Sequence, residues 1–133
     1  MLSNGKPAQP SKISQGERNI IGLCYFFASI LENQEETTAY TKEYLLLIDD
    51  PVSSFDMENK TGIMSFLRYQ LGKFLLGNEY TKSIIMTHDL LTYYDSEKMF
   101  GELIEASKVK YGGDKPVYKR YELKNKNTNS ISA

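Results

Sequence analysis

The segment Tyr44–Asp49, "YLLLID", constrains the fold more than any other part of the sequence. It is apolar up to its final aspartate, it lacks the alternation of a half-exposed strand, and it has strand length. Such a run predicts a strand that is covered on both faces, as in a parallel sheet. A second run, "SIIMT" at Ser83–Thr87, predicts a second short buried strand.

Apolar residues at helical spacing surround these two strands. Three helices are predicted, at Gly16 to about Glu32, Asp56 to about Leu76, and Leu90 to about Ala106. Asp56 is the expected cap of the second helix, and Gly77 suits its C-terminus. The alternation in residues 116–123 predicts a late strand, and the polar residues 124–133 predict a disordered tail. This order is that of an α/β fold with a mainly parallel sheet and flanking helices.

The remaining features exclude more than they specify. The single cysteine, Cys24, lies in the apolar pattern of the first helix, which predicts a buried thiol and no disulfide within the chain. Residues 33–43 are expected to form a surface loop. The net charge of -1 points to neither nucleic acid nor membrane. With no signal peptide and no apolar run of membrane length, we expect a cytoplasmic protein without a membrane partner.

Three chemically active side chains follow the two predicted strands. Asp49 and Asp50 end the first strand, and His88 follows the second, so all three should lie at the same sheet edge. A carboxylate at a strand tip suits Mg²⁺, which takes one or two such oxygens together with phosphate and water. Asp49 is therefore the predicted metal ligand, and Asp50 could orient or deprotonate a water that attacks a terminal phosphate. His88, as a neutral imidazole, could donate a hydrogen bond to that phosphate or water.

Each of these features also has an ordinary structural explanation. An Asp-Asp-Pro sequence after a strand is most often a turn. A lone histidine at a strand end is more often structural than catalytic. Ser14 and Glu17, three residues apart, match a helix capping box. The functional interpretation depends on the joint order of the features.

Four segments, in this order, resemble the motifs of ABC-type ATPases. "ISQGE" looks like the signature motif, "LLLIDD" like Walker B, "SSFD" like the D-loop and "IIMTHD" like the switch-histidine strand. The residues of these segments are similar to those of the SMC, RecF and RecN-like branch, and most similar to those of the anticodon-nuclease ATPases and related bacterial defence or repair ATPases. The resemblance implies that residues 1–123 are the C-terminal lobe of a P-loop NTPase domain of the ABC type.

The resemblance implies a nucleotide-binding role for the start of the first helix. Ser14, Gln15, Gly16 and Glu17 face the γ-phosphate of an ATP that is bound mainly by a second head, and Asp56 lies at the seam between the heads. Free backbone N–H groups at a helix N-terminus suit such an anion. Gln15 replaces the first glycine of the commonest signature form.

The same resemblance assigns the strand-end residues. Asp49 holds Mg²⁺ through water, Asp50 is the general base, and His88 contacts the γ-phosphate. Many members of the family have glutamate where this chain has Asp50, so the shorter side chain is a departure.

One motif of the family is missing. The sequence contains no G-x-x-x-x-G-K-[ST] phosphate-binding loop, the Walker A motif that cradles the β-phosphate. We therefore expect the chain to be part of a larger ATPase or to be encoded apart from its other half, and to bind and hydrolyse ATP poorly alone. The implied partners are an N-terminal half with Walker A, a second head in a homodimer, and DNA or RNA through the complete protein.

Two other functions fit parts of the pattern. In the first, the lobe has lost nucleotide chemistry and serves as a dimerisation or regulatory module. In the second, the strand-end carboxylates belong to a metal-dependent nuclease of the Toprim kind, although "IDDP" lacks the D-x-D pair of such sites.

Overall fold

The computed structural model describes residues 2–3, 6–7, 15–52, 59–112 and 118–124. The elements are β1 (Leu2–Ser3), β2 (Lys6–Pro7), α1 (Gln15–Leu31), α2 (Glu36–Ala39), β3 (Leu45–Asp49), α3 (Lys60–Gly77), β4 (Lys82–Met86) and α4 (Leu90–Tyr111). The two predicted strands and the three predicted long helices are confirmed. The fold is α/β, and its central sheet is small.

The central sheet consists of β3 and β4, which pair in parallel from Leu45↔Lys82 to Asp49↔Met86. One further hydrogen bond extends the ladder at its carboxyl end, where the N–H of Asp50 donates to the carbonyl of Met86 at 2.7 Å. The helix α3 makes the crossover that a parallel pair requires. The strands β1 and β2 form a separate antiparallel pair.

The hydrophobic core lies on one face of this sheet. Leu46 and Ile48 of β3 point into it, whereas their neighbours along the strand are exposed. Val52, in the segment after β3, is also part of the core, and the helices supply its other residues: Leu23, Phe27, Ile63, Leu67, Leu71, Phe74, Met99 and Leu103. The ring of Phe27 stacks on that of Phe74, with centroids 5.9 Å apart.

The opposite face of the sheet is exposed, so the prediction that both faces are covered is wrong for the described residues. Leu45 and Leu47 of β3 are 62% and 53% exposed, and Ile84 and Met86 of β4 are 48% and 45% exposed. The physical reason is that the three long helices bury their apolar residues against the other face. The described part of the chain therefore presents a contiguous apolar sheet surface.

Two predictions in the first third of the chain are wrong. Cys24 is exposed, because the buried stripe of α1 runs through Leu23 and Phe27 instead. The expected surface loop at 33–43 contains α2, whose Ala39 is fully buried. Tyr40 then packs edge-on against Phe74, with ring centroids 4.8 Å apart.

The helix ends and the last segment also differ from expectation. The helix α3 begins at Lys60, and the side chain of Asn59, the residue before it, makes no capping hydrogen bond. Asp56, the predicted cap, lies outside the described residues. The helix α4 runs to Tyr111, five residues beyond the predicted end. Residues 118–123 form no strand; instead Arg120 pairs with Glu97 of α4 at 2.8 Å. The predicted disordered tail lies outside the described residues from residue 125 onward.

Gly77 is the last residue of α3, as predicted, but for another reason. Its backbone has no positive φ. A side chain there would instead meet the backbone of Tyr40, since a Cβ would lie 2.2 Å from the Tyr40 carbonyl oxygen. None of the described helices is both long enough and apolar enough to cross a membrane.

Candidate functional site

Asp50 and His88 meet at the carboxyl end of the β3–β4 pair. The Nδ1 atom of His88 lies 2.7 Å from Oδ2 of Asp50. The parallel register produces this contact. Asp49 is paired with Met86, so the residues that follow β3 and β4, which include Asp50 and His88, lie at the same edge of the sheet. The structure thus confirms that a carboxylate and the histidine share that edge.

Asp50 adopts a left-handed backbone conformation, with φ of 51°. Aspartate is among the few non-glycine residues that tolerate this region, and residues held in it tend to cluster at functional sites. The turn takes the chain out of the strand direction immediately after Asp49, which is itself exposed. The Asp-Asp-Pro sequence indicates a turn here, but it does not predict the left-handed conformation of Asp50.

The contact with Asp50 fixes which nitrogen of His88 carries a proton. A carboxylate only accepts hydrogen bonds, so Nδ1 of His88 is the donor. In the neutral imidazole, Nε2 is then an acceptor and cannot donate to a phosphate oxygen. A donated bond from Nε2 requires the imidazolium form, with Asp50 as its counter-ion.

The turn that carries His88 is held by its two neighbours. The hydroxyl of Thr87 accepts from the N–H of Asp89 at 3.1 Å, and Asp89 caps α4 by accepting from the N–H and the hydroxyl of Thr92 at 2.9 and 2.6 Å. The Thr92 hydroxyl, and then the Thr92 N–H, hold the pKa of Asp89 below its usual value. Thr92 is fully buried, so the turn is anchored in the core. The spacing of Asp89 and Thr92 in "THDLLT" is the signal that could have identified this cap.

A shallow groove of about 270 Å³ separates the first half of α1 from the end of β3. Its lining includes Arg18, Asn19 and Gly22 from α1 and Asp49 and Asp50 from the strand end. The groove therefore places residues 18–22 of α1, which follow the predicted phosphate-facing helix start, opposite the predicted metal ligand Asp49.

The other predicted site residues are described only in part. Gln15 and Gly16 form the first turn of α1, which begins one residue earlier than predicted. Glu17 is exposed. Ser14 and Asp56 lie outside the described residues.

The described residues contain no group of three or more His, Cys, Asp or Glu side chains that could hold a metal ion by themselves. Asp49 alone offers an exposed carboxylate at a strand end, which suits a hard cation that takes its other ligands from phosphate and water. The donor set thus fits a nucleotide-bound Mg²⁺ and does not form a cage for a free ion.

Comparison with known proteins assigns the family. Two curated Staphylococcus aureus proteins, one from strain MRSA252, are both named "Uncharacterized chromosomal cassette SCCmec type IVc protein CR006". Each is 31% identical over 83 residues, which is 62% of this chain but only 11% of the relative. No solved structure matches. A family model described as "AAA domain" matches residues 1–133, so the chain belongs to this AAA family of ATPase-type domains.

Proposed function

We propose that the chain is the C-terminal lobe of an ABC-type ATPase head that hydrolyses Mg²⁺-bound ATP at a seam between two heads. The observation that carries the proposal is the 2.7 Å contact between Nδ1 of His88 and Oδ2 of Asp50 at the end of a parallel strand pair. In a chain of an ATPase family, this is the edge where phosphates are expected. The chemistry then rests on positioning and charge neutralisation.

Each of the three residues has a distinct part in this proposal. His88, held by Asp50 through Nδ1, directs Nε2 at the γ-phosphate, where its imidazolium form would donate a hydrogen bond to charge that develops there. Asp50 is 34% exposed, so carboxylate lone pairs that His88 does not use remain open to the attacking water. Asp49 would hold Mg²⁺ through water, and the ion would neutralise charge on the phosphates.

The exposed apolar face of the sheet supports the view that this lobe works with another. Parallel sheets occur almost only with both faces covered. Here Leu45, Leu47, Ile84 and Met86 are open on one face. We propose that a lobe bearing the absent phosphate-binding loop covers this face, and that Ser14 to Glu17 reach the nucleotide of a second head, with Asp56 at the seam.

The ATPase proposal is tested in the complete protein, meaning this chain together with the polypeptide that supplies the phosphate-binding loop. Asp50→Asn should leave ATP binding intact and slow hydrolysis by ~10²–10⁴-fold, the usual effect of losing one proton-transfer group. Glu105→Gln is the matched control, because Glu105 is an exposed acid that pairs with Lys108 on the surface of α4. Wild-type turnover in Asp50→Asn would refute the assignment of the base.

Two further measurements separate the alternatives. The 133-residue chain alone should show no micromolar affinity for ATP with Mg²⁺ in a calorimetric titration. If the complete protein binds ATP but never hydrolyses it, the chain is a non-catalytic dimerisation or regulatory module. Stimulation of turnover by added DNA or by transfer RNA would distinguish a role in DNA repair or phage defence from one in RNA-nuclease control.

A further inference from the structure

Three consecutive residues at the end of β4 contact Asp50. The carbonyl of Met86 accepts from the Asp50 N–H at 2.7 Å, and Nδ1 of His88 lies 2.7 Å from Asp50 Oδ2. Between them, the hydroxyl of Thr87 donates to the other carboxylate oxygen, Oδ1, at 3.5 Å. Both oxygens of Asp50 thus face the turn that carries the histidine, Oδ2 in a short contact with His88 and Oδ1 in a long contact with Thr87.

The proton of the Thr87 hydroxyl has a set direction. A hydroxyl has one proton to donate and two lone pairs that accept. The N–H of Asp89 donates to the Thr87 hydroxyl at 3.1 Å and occupies one of these lone pairs; since a carboxylate only accepts, the hydroxyl is the donor in its contact with Asp50. The contact with Asp50 is long, and hydrogen bonds of this kind often tighten only when a ligand is bound.

The left-handed backbone of Asp50 explains why the contact with Thr87 matters. With φ of 51°, Asp50 is held in a conformation that persists only where its surroundings fix it. The Met86 bond fixes the main chain, but rotation of the carboxylate is fixed only by groups that touch its oxygens. On Oδ1, the described group that does so is the Thr87 hydroxyl.

We infer that Thr87 is a positioning residue, whose hydroxyl turns the Asp50 carboxylate so that Oδ2 faces Nδ1 of His88. Asp89 and Thr92 hold the Thr87 turn in place through the cap of α4. The catalytic significance of Thr87 rests on the proposed ATPase function, whereas its effect on the Asp50–His88 geometry does not.

The chain offers a direct readout, because His88 is its only histidine. In nitrogen-15 NMR of the 133-residue chain, at a pH where the imidazole is neutral, we expect the Nδ1-protonated tautomer. Thr87→Val removes the hydroxyl and keeps the branched shape, and it should lower the ratio of Nδ1-H to Nε2-H tautomers by about two- to tenfold, as expected for one lost hydrogen bond. Thr87→Ser, which keeps the hydroxyl, should restore the wild-type ratio.

Two results would overturn the inference: a valine variant with the wild-type tautomer ratio, or a serine variant that behaves like the valine variant. Circular dichroism checks the folding of each variant, and Thr87→Ala replaces the valine variant if that one does not fold. In the complete protein, Thr87→Val should lower kcat with little change in KM. A tautomer shift in Thr87→Val, together with a complete protein that hydrolyses no ATP, would uphold the positioning role and reject the ATPase proposal.

Discussion

Substitution of Gly77 tests the close packing of the end of α3 against the backbone of Tyr40. A methyl group at this position would lie 2.2 Å from the carbonyl oxygen and 2.9 Å from the carbonyl carbon of Tyr40. Ordinary contacts begin near 3.4 Å, so Gly77→Ala requires a displacement of about 1.2 Å. Tyr40 is poorly able to move, because its ring packs on Phe74 and its neighbour Ala39 is fully buried.

Two opposing terms set the size of the effect. The helical backbone at Gly77 has no positive φ, so alanine without a clash would stabilise the protein by up to ~1 kcal/mol. Overpacking against a fixed neighbour costs typically ~1–3 kcal/mol, and a backbone neighbour favours the upper part of that range. We expect a net loss of about 1–2 kcal/mol in the free energy of unfolding, or roughly 3–10 °C in Tm for a chain of this size.

Two other glycines of α3 are the matched controls. A methyl group at Gly62 would have no atom within 4 Å, so Gly62→Ala should raise stability by up to ~1 kcal/mol. At Gly72 the nearest atom is Cδ2 of Leu103 at 3.3 Å, the end of a flexible side chain, so Gly72→Ala should be close to neutral. Urea unfolding followed by circular dichroism measures all three. If Gly77→Ala is as stable as Gly62→Ala, the close approach of Tyr40 to the end of α3 is refuted.

Two further predictions concern the sheet and the turn after β4. Leu46 is 2% exposed and Leu47 is 53% exposed, so Leu46→Ala should cost ~2–5 kcal/mol and Leu47→Ala less than ~0.5 kcal/mol in urea unfolding; equal costs would contradict the assigned faces. The pKa of Asp89 is lowered in the folded state, so the ionised carboxylate stabilises the folded protein. This contribution to the free energy of unfolding is fully present above the unfolded pKa, near 3.8, and is lost as the pH falls through the lower folded pKa. In acid unfolding, Asp89→Asn should remove this pH dependence, and an unchanged acid limb would show that the Thr92 cap contributes nothing.

The positions of the strand-end residues were predictable because they follow from topology. Two buried runs joined by a helix form a parallel pair, and a parallel pair brings both carboxyl ends to one edge. That rule is sufficient to bring Asp50 and His88 together from the sequence. It does not give the left-handed turn at Asp50 or the use of Nδ1 of His88, since both depend on main-chain angles that leave no periodic trace.

Errors in burial have a different origin. In α1 the apolar pattern admits neighbouring stripes, and the stripe through Leu23 and Phe27 is buried while Cys24 is exposed. A helical period alone does not choose between them, because the choice depends on where α3 presents its aromatic rings. In residues 118–123 the alternation is present, but none of the described strands pairs with this segment, and an alternating segment without a partner has no ladder to join.

The residues of β3 combine two properties. They form a continuous apolar run, and one face of their strand is exposed. A strand with one solvent-exposed face alternates between apolar and polar residues, and in such a strand Leu45 and Leu47 would be polar. They are leucines, and they stand beside Ile84 and Met86 on the neighbouring strand, so the exposure is a continuous patch and not a scattered residue. Patches of that kind mark interaction surfaces. The sequence of β3 is therefore suited to a two-sided environment, of which the described residues supply one side, and the second lobe that we propose would supply the other.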